Sequence, residues 1–128
     1  MPYPSLLEVE FEWLVRLDSC LAEGPIWDDR RQVCWWVDIE AGHVHRIDRA
    51  GVDTVLDLMA PVGMVALSTD TRLVAALDTG LMILDPDSGQ IIRLAEVEAD
   101  NPQTRSNDGK VGADGAIWFG TMARDASP

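Results

Sequence analysis

The sequence contains few of the residues on which disulfide-linked, membrane-spanning and nucleic-acid-binding proteins depend. Its 128 residues include 2 cysteines, and 10 basic residues stand against 22 acidic ones, which gives a net charge of −12. So few basic side chains would displace few counterions from phosphates, which argues against a nucleic-acid or anionic-membrane surface. No run of about 18 apolar residues occurs, so we expect no transmembrane helix and no membrane partner.

The two cysteines also bear on the compartment in which the protein works. Cys20 and Cys34 form neither a CxxC motif nor a zinc-binding pattern with the two histidines. The N-terminal residues lack the basic region and the long apolar region of a signal peptide. We therefore expect two reduced thiols in a cytoplasmic protein. With 47% hydrophobic residues, the chain can bury the core of one domain.

Common catalytic motifs are absent as well. No GxSxG nucleophile elbow occurs, and two histidines leave a Ser-His-Asp triad little to draw on. Neither the GxxxxGKS/T phosphate loop nor the GxGxxG dinucleotide motif is present. The sequence therefore excludes the common serine hydrolases and nucleotide-binding enzymes.

A repeat of short strands is what the sequence contains instead. Apolar runs are separated by turns rich in Asp, Gly and Pro, which is typical of an all-β chain. Val33–Val37 and Leu73–Leu77 are apolar throughout, as expected of strands packed on both faces, and a third unit opens at Gly109. Four short strands in about 40 residues is the period of a propeller blade. The predicted fold is an all-β β-propeller of four-stranded blades.

The length of the chain limits the number of blades. At about 40 residues each it supplies about three blades, whereas closed propellers use about 4–8. Three blades form an incomplete ring with two open, apolar end faces. We expect the chain to be a fragment of a longer protein, and the alternative is self-association of two arcs through the open blade faces.

Two segments, Leu21–Trp27 and Arg105–Val111, place ligand-capable side chains beside glycine, immediately before predicted strands. In the first, Glu23 offers a hard oxygen ligand for a divalent cation. Its alternative is a solvated loop acid. In the second, Arg105 and Asn107 offer a guanidinium fork and an amide that can orient a polyhydroxylated substrate. Their alternative is a structural Asn-Asp-Gly turn with a flanking surface arginine.

Two further patterns imitate metal sites. His43 and His45 would share one face of a strand and could ligate a metal, but without a third ligand we expect solvated histidines. Asp85–Gly89 imitates the start of a calcium loop, yet Gln90 stands where that loop requires glycine. The segment therefore predicts a β-turn between strands.

Motifs spread along nearly the whole chain closely resemble the regucalcin (senescence marker protein)/gluconolactonase family. They are Leu21–Trp27, Pro61–Met64, Arg105–Val111 and Trp118–Met122. The resemblance covers the N-terminal portion of a family member, less than half of the usual length. It implies a six-bladed propeller that hydrolyses sugar lactones with one divalent cation (Ca²⁺, Zn²⁺, Mn²⁺ or Mg²⁺) at its central channel.

The resemblance also implies roles for individual residues. Glu23 matches a metal ligand, Arg105 and Asn107 match substrate-binding residues, and Asp125 falls where some members carry a substrate-contacting Glu. The remaining ligands and the general base are expected beyond residue 128. Residues 1–128 are thus predicted to form the N-terminal part of a gluconolactonase-like domain, inactive alone. The alternative is a non-catalytic propeller that binds calcium or another protein.

Overall fold

The computed structural model describes residues 10–127, which contain ten strands and no helix. No segment of this range forms a helix long and apolar enough to cross a membrane. The strands are β1 (Ala22–Asp28), β2 (Val33–Asp38), β3 (His43–Asp48), β4 (Asp53–Asp57), β5 (Val62–Leu67), β6 (Leu73–Leu77), β7 (Gly80–Leu84), β8 (Ile91–Glu96), β9 (Thr104–Val111) and β10 (Ile117–Ala123).

The strands form sheets in which each strand pairs antiparallel with the next one along the chain. Strands β1 to β4 make one four-stranded sheet, β5 to β8 make a second, and β9 pairs with β10. Short turns between successive strands permit this meander because antiparallel neighbours need no crossover. The prediction of an all-β propeller of four-stranded blades is confirmed, and the third blade is represented here by its first two strands.

The first strands of the three sheets, β1, β5 and β9, lie side by side and form the inner strands of the arc. Glu23 lies within β1, and Arg105 and Asn107 lie within β9. The expectation that these side chains precede the strands is therefore wrong. The strand β9 can begin with polar residues, although Arg105 and Ser106 are buried, because both side chains find hydrogen-bond partners.

The core lies between successive sheets and follows the alternation of the strands. One face of β2 contributes Trp35 and Val37, which pack with Leu73 and Ala75 of β6. A smaller cluster on the opposite face of the second sheet meets β10; its members are Met64, Ala66 and Ala76, with Ile117 and Phe119 packed against them. Both faces of the second sheet are thus covered, which explains why Leu73–Leu77 is apolar throughout.

A buried carboxylate orders the turn through which the first sheet contacts the second. Asp28 is fully buried and accepts hydrogen bonds from Trp35 Nε1 at 3.1 Å and from Arg31 at 2.7 Å. Burial opposes the charged form, but the bonds from Arg31 and Trp35 outweigh it and lower the pKa of Asp28. Arg30, at the same turn, donates to the carbonyl of Ser68 in the second sheet at 2.8 Å.

Gly63 of β5 marks a close approach between the backbones of the second and third sheets. A Cβ at this position would lie 2.4 Å from the carbonyl oxygen of Asn107 and 2.6 Å from the carbonyl carbon of Ser106. Both atoms belong to the backbone, which cannot rotate aside as a long side chain can. Glycine is therefore required for β5 and β9 to lie this close.

Gly63→Ala is expected to lower the free energy of unfolding by about 3 kcal/mol because the new methyl group forces the two inner strands apart. Urea denaturation followed by tryptophan fluorescence measures the change. Gly120→Ala is the matched control, since a Cβ there meets nothing within 4 Å, and it should change stability by less than about 0.5 kcal/mol. Equal effects of the two substitutions would contradict this packing.

Candidate functional site

Glu23 lies at the second position of β1, beside a β-bulge. The pairing with β2 shifts register between Glu23 and Ile26, and Gly24 takes a positive φ of 61°. The bulge redirects the chain at the strand's start, as bulges do beside binding sites. The Glu23 side chain is exposed and lines a cleft of about 350 Å³ with Pro25 and Trp36, among others. Neither Arg105 nor Asn107 lines this cleft.

Asp38 fixes the approach to Glu23. Its buried carboxylate accepts hydrogen bonds from the backbone N–H of Cys20 at 2.8 Å and of Leu21 at 2.9 Å. Burial opposes the charge of Asp38, but these backbone donors outweigh it and lower the pKa of that carboxyl. The segment that leads into Glu23 therefore has a fixed path into β1.

Arg105 and Asn107 come together on β9. The pairing of β9 with β10 shifts register between Ser106 and Gly109, so strand alternation does not place Asn107; the contact between the two side chains shows that both lie on the same side. Arg105 donates from one Nη to the carbonyl of Ser106 at 2.9 Å and is 3.5 Å from Oδ1 of Asn107. With 8% of its surface exposed, Arg105 is not the flanking surface arginine of the alternative interpretation, and Asn107 lies in a strand rather than a turn.

The ligands that Arg105 and Asn107 could bind follow from their hydrogen-bond donors that have no partner among the described residues. A guanidinium has five N–H donors, and one Nη makes the contacts that Arg105 has among residues 10–127. The remaining donors and the Asn107 amide N–H₂ suit the hydroxyl and carbonyl oxygens of a sugar-like molecule. Arg105 and Asn107 therefore form a polar clamp at the start of β9.

Ser106, between these two residues, is a part of the site that sequence reasoning missed. Its hydroxyl donates to the carbonyl of Ala76 at 2.6 Å and accepts from the N–H of Gly63 at 3.1 Å. Serine in a polar segment is typical of loops, so the sequence carries no signal for this contact. Its position in a strand next to a close-packed glycine is visible only in three dimensions.

Backbone contacts connect the starts of the three inner strands. The N–H of Ile39 donates to the carbonyl of Leu21 at 2.9 Å, and the N–H of Val62 donates to the carbonyl of Ile39 at 3.3 Å. Gly63, the next residue of β5, donates to Ser106. The beginnings of β1, β5 and β9 therefore lie at one edge of the arc, which brings Glu23 to the same edge as the Arg105–Asn107 pair.

Asp125 lies at this edge but outside the clamp. It follows β10, whose end pairs with the start of β9. Its exposed carboxylate accepts from the N–H of Ser127 at 3.0 Å, and the hydroxyl and N–H of Ser127 lower the pKa of Asp125. Within the described chain, no hydrogen bond or ion pair joins Asp125 to Arg105 or Asn107.

One of the two histidines departs from the expectation that both are solvated, since His43 is half-buried whereas His45 is buried. His45 is 7% exposed, its ring stacks on Trp36 with centroids 3.7 Å apart, and its Nδ1 lies 2.8 Å from Asp53 Oδ2. The prediction of a solvated His45 is wrong because its ring is covered by Trp36, the residue opposite it on β2, and contacts Asp53 of β4. The Asp85 segment forms the predicted turn, in which the carboxylate accepts from the N–H of Asp87 at 2.9 Å.

The described residues offer too few ligands for a metal ion. Between residues 10 and 127, no three His, Cys, Asp or Glu side chains converge as metal ligands. Glu23 supplies one carboxylate, and hard divalent ions take six or more oxygen ligands, several of which can be waters. The described residues therefore complete no metal site, and Glu23 as a ligand stays a prediction.

These features define a β-propeller protein with a candidate site where the inner strands of neighbouring blades begin. Residues 21–128 match the family described as SMP-30/gluconolactonase/LRE-like region. The chain belongs to this family.

Individual relatives agree with that assignment. The chain is 38% identical over 110 residues to a 6-deoxy-6-sulfogluconolactonase of Pseudomonas putida, covering 85% of this chain and 38% of that protein. It is 37% identical to an L-arabinolactonase of Azospirillum brasilense, covering 86% and 37%. A crystal structure described as a calcium-binding regucalcin from Agrobacterium tumefaciens superposes with a TM-score of 0.81 at 36% identity, covering 85% and 37%. The chain thus spans under two-fifths of these relatives' length.

Asp38→Asn is expected to lower the free energy of unfolding at neutral pH by about 2 kcal/mol, because the amide accepts the two backbone bonds less well than a charged carboxylate. The folded-state pKa of Asp38 is lowered, so its stabilisation is present above the ordinary aspartate pKa of about 4 and fades as the pH falls through the folded value.

The difference between parent and variant should accordingly shrink as the pH falls below about 4, which urea denaturation across that range measures. Asp100→Asn is the control, since this exposed carboxylate accepts no hydrogen bond from the described residues. A stability difference that stays constant with pH would contradict the role of the Asp38 charge.

Proposed function

We propose that this chain is the N-terminal part of a metal-dependent sugar-lactone hydrolase of the gluconolactonase type. The observation that carries the proposal is the arrangement of Glu23, Arg105 and Asn107 at one edge of three adjacent inner strands, in a chain whose family includes named lactonases. The substrate is then a small sugar lactone. Two free cysteines, Cys20 and Cys34, support a cytoplasmic protein.

In this proposal the chain's own residues bind and orient the lactone. The free guanidinium donors of Arg105 and the amide of Asn107 hold ring hydroxyls, so the carbonyl carbon faces the attacking water. Asp125, which follows the end of β10 beside the start of β9, would meet an outlying hydroxyl after leaving Ser127. Glu23 is one ligand of a divalent cation (Ca²⁺, Zn²⁺, Mn²⁺ or Mg²⁺), which when bound supplies Lewis-acid activation. The other ligands and the general base belong to blades beyond residue 128.

A second candidate is a non-catalytic propeller that binds calcium or a protein partner. It is favoured by one observation, the description of the Agrobacterium neighbour as a calcium-binding protein. One fold can serve either function. The two candidates differ in whether lactone turnover depends on Glu23.

A chimera tests this dependence. Residues 21–128 replace the matching segment of the Pseudomonas putida lactonase, and lactone hydrolysis is followed by pH-stat with added Mn²⁺, Zn²⁺ or Ca²⁺. Glu23→Gln is expected to lower kcat/KM at least about 100-fold, because the amide keeps the shape but loses the charge that a cation needs. The 128-residue chain alone should hydrolyse lactone no faster than the spontaneous reaction.

Glu96→Gln is the matched control, since this exposed glutamate lies at the end of the outer strand β8. It should leave kcat/KM unchanged. A folded chimera in which Glu23→Gln is as active as its parent would contradict the enzyme proposal. Altered calcium or partner binding with unchanged turnover would support the non-catalytic module.

Self-association of two arcs through the open blade faces is the alternative to a fragment, and it has its own test. Trp118 of β10 is 70% exposed and Val111 of β9 is 46% exposed, so the third sheet offers an apolar face to a second copy. Because the net charge of −12 opposes association, raising the salt concentration should strengthen it. Sedimentation velocity should show a dimer that Trp118→Glu weakens. A monomer at every concentration and salt would overturn the prediction.

A further inference from the structure

Ser106 joins three strands of two blades through one hydroxyl group. It is 1% exposed, its Oγ donates to the carbonyl of Ala76 on β6 at 2.6 Å, and it accepts from the N–H of Gly63 on β5 at 3.1 Å. A hydroxyl can donate one bond and accept two, so this side chain is well satisfied. No other side chain of β9 makes a hydrogen bond to β5 or β6 within residues 10–127.

The hydrogen bond from the Gly63 N–H to Ser106 compensates for a local irregularity of β5. The pairing of β5 with β6 shifts register between Val62 and Met64, so Gly63 lies outside the regular ladder. Its N–H, buried between two sheets, needs another acceptor. Ser106 supplies that acceptor from the neighbouring blade.

The position of Ser106 in β9 links this contact to the two clamp residues, Arg105 and Asn107. The Ser106 side chain faces the second blade, where it bonds to Gly63 and Ala76. Arg105, the residue before it in the strand, projects on the opposite side and contacts Asn107 there. Arg105 also donates to the carbonyl of Ser106 itself. Arg105 and Asn107 are therefore the chain neighbours of Ser106, the residue that is hydrogen-bonded to the second blade.

We propose that Ser106 is a positioning residue, whose hydroxyl sets the placement of Arg105 and Asn107 relative to the inner end of the neighbouring blade. The inference rests on the proposed function for its meaning, because the clamp is a substrate clamp only in a lactone hydrolase. The placement of Arg105 and Asn107 by Ser106 does not depend on whether the protein hydrolyses lactones. Without the hydroxyl, β9 keeps its pairing with β10 but loses its polar attachment to β5 and β6.

The test uses the 128-residue chain and nuclear magnetic resonance. Ser106→Ala removes the hydroxyl, and Ser106→Thr retains it. In the alanine variant the backbone amide of Gly63 should exchange with solvent at least about tenfold faster. The side-chain signals of Arg105 Nε–H and of the Asn107 amide should shift in the same variant, while the indole signal of Trp35 in the first blade stays in place. The threonine variant should return the signals of the clamp residues toward their parental positions.

Ser68→Ala is the matched control. Its hydroxyl bonds to the carbonyl of Arg72 at 2.7 Å within a turn of the second sheet, away from β9. A merely structural role for Ser106 would lower thermal stability, as Ser68→Ala can, without moving the signals of Arg105 and Asn107.

Unmoved clamp signals in Ser106→Ala, with or without faster Gly63 exchange, would overturn the proposal. A folded chimera in which Glu23→Gln is as active as its parent would overturn the proposed function but leave these spectra unchanged. The two failures are therefore distinguishable.

Discussion

The close approach of β5 to β9 at Gly63 is the constraint on which the arrangement of the candidate site depends. A Cβ at Gly63 would lie 2.4 Å from the carbonyl oxygen of Asn107, so the two inner strands can lie this close only because the side chain is absent. The same approach lets the Gly63 N–H reach the Ser106 hydroxyl. The packing at Gly63 and its hydrogen bond to Ser106 together hold the polar clamp of the third blade beside the second blade.

Hydrogen bonds connect this contact at Gly63 to the first blade. Val62, next to Gly63, donates to Ile39, and Ile39 donates to Leu21, two residues before Glu23. Asp38 holds the N–H of Leu21 from the other side. Glu23 and the Arg105–Asn107 clamp lie on different sheets, yet their backbones are connected through these few contacts. A site divided between blades can remain ordered because each inner strand fixes the start of the next.

The sequence predicts the repeating features of this fold better than the irregular ones. Apolar runs such as Leu73–Leu77 predict doubly packed strands because burial on both faces leaves a visible pattern. The extension of β9 back to Thr104 is not predictable in this way, since Arg105–Asn107 is polar and its strand pairing comes from β10. The burial of His45 against Trp36 likewise depends on a partner across the sheet. The role of Ser106 depends on a contact 43 residues away in sequence.

The most direct measurement of the central claim is the nuclear Overhauser effect between the α protons of Gly63 and the backbone N–H of Asn107. A Cβ at Gly63 would lie 2.7 Å from the backbone nitrogen of Asn107, so a proton that takes the place of this Cβ lies close to the Asn107 N–H. This close approach predicts a strong effect between these protons in the 128-residue chain. A folded chain that shows no such effect would contradict the account.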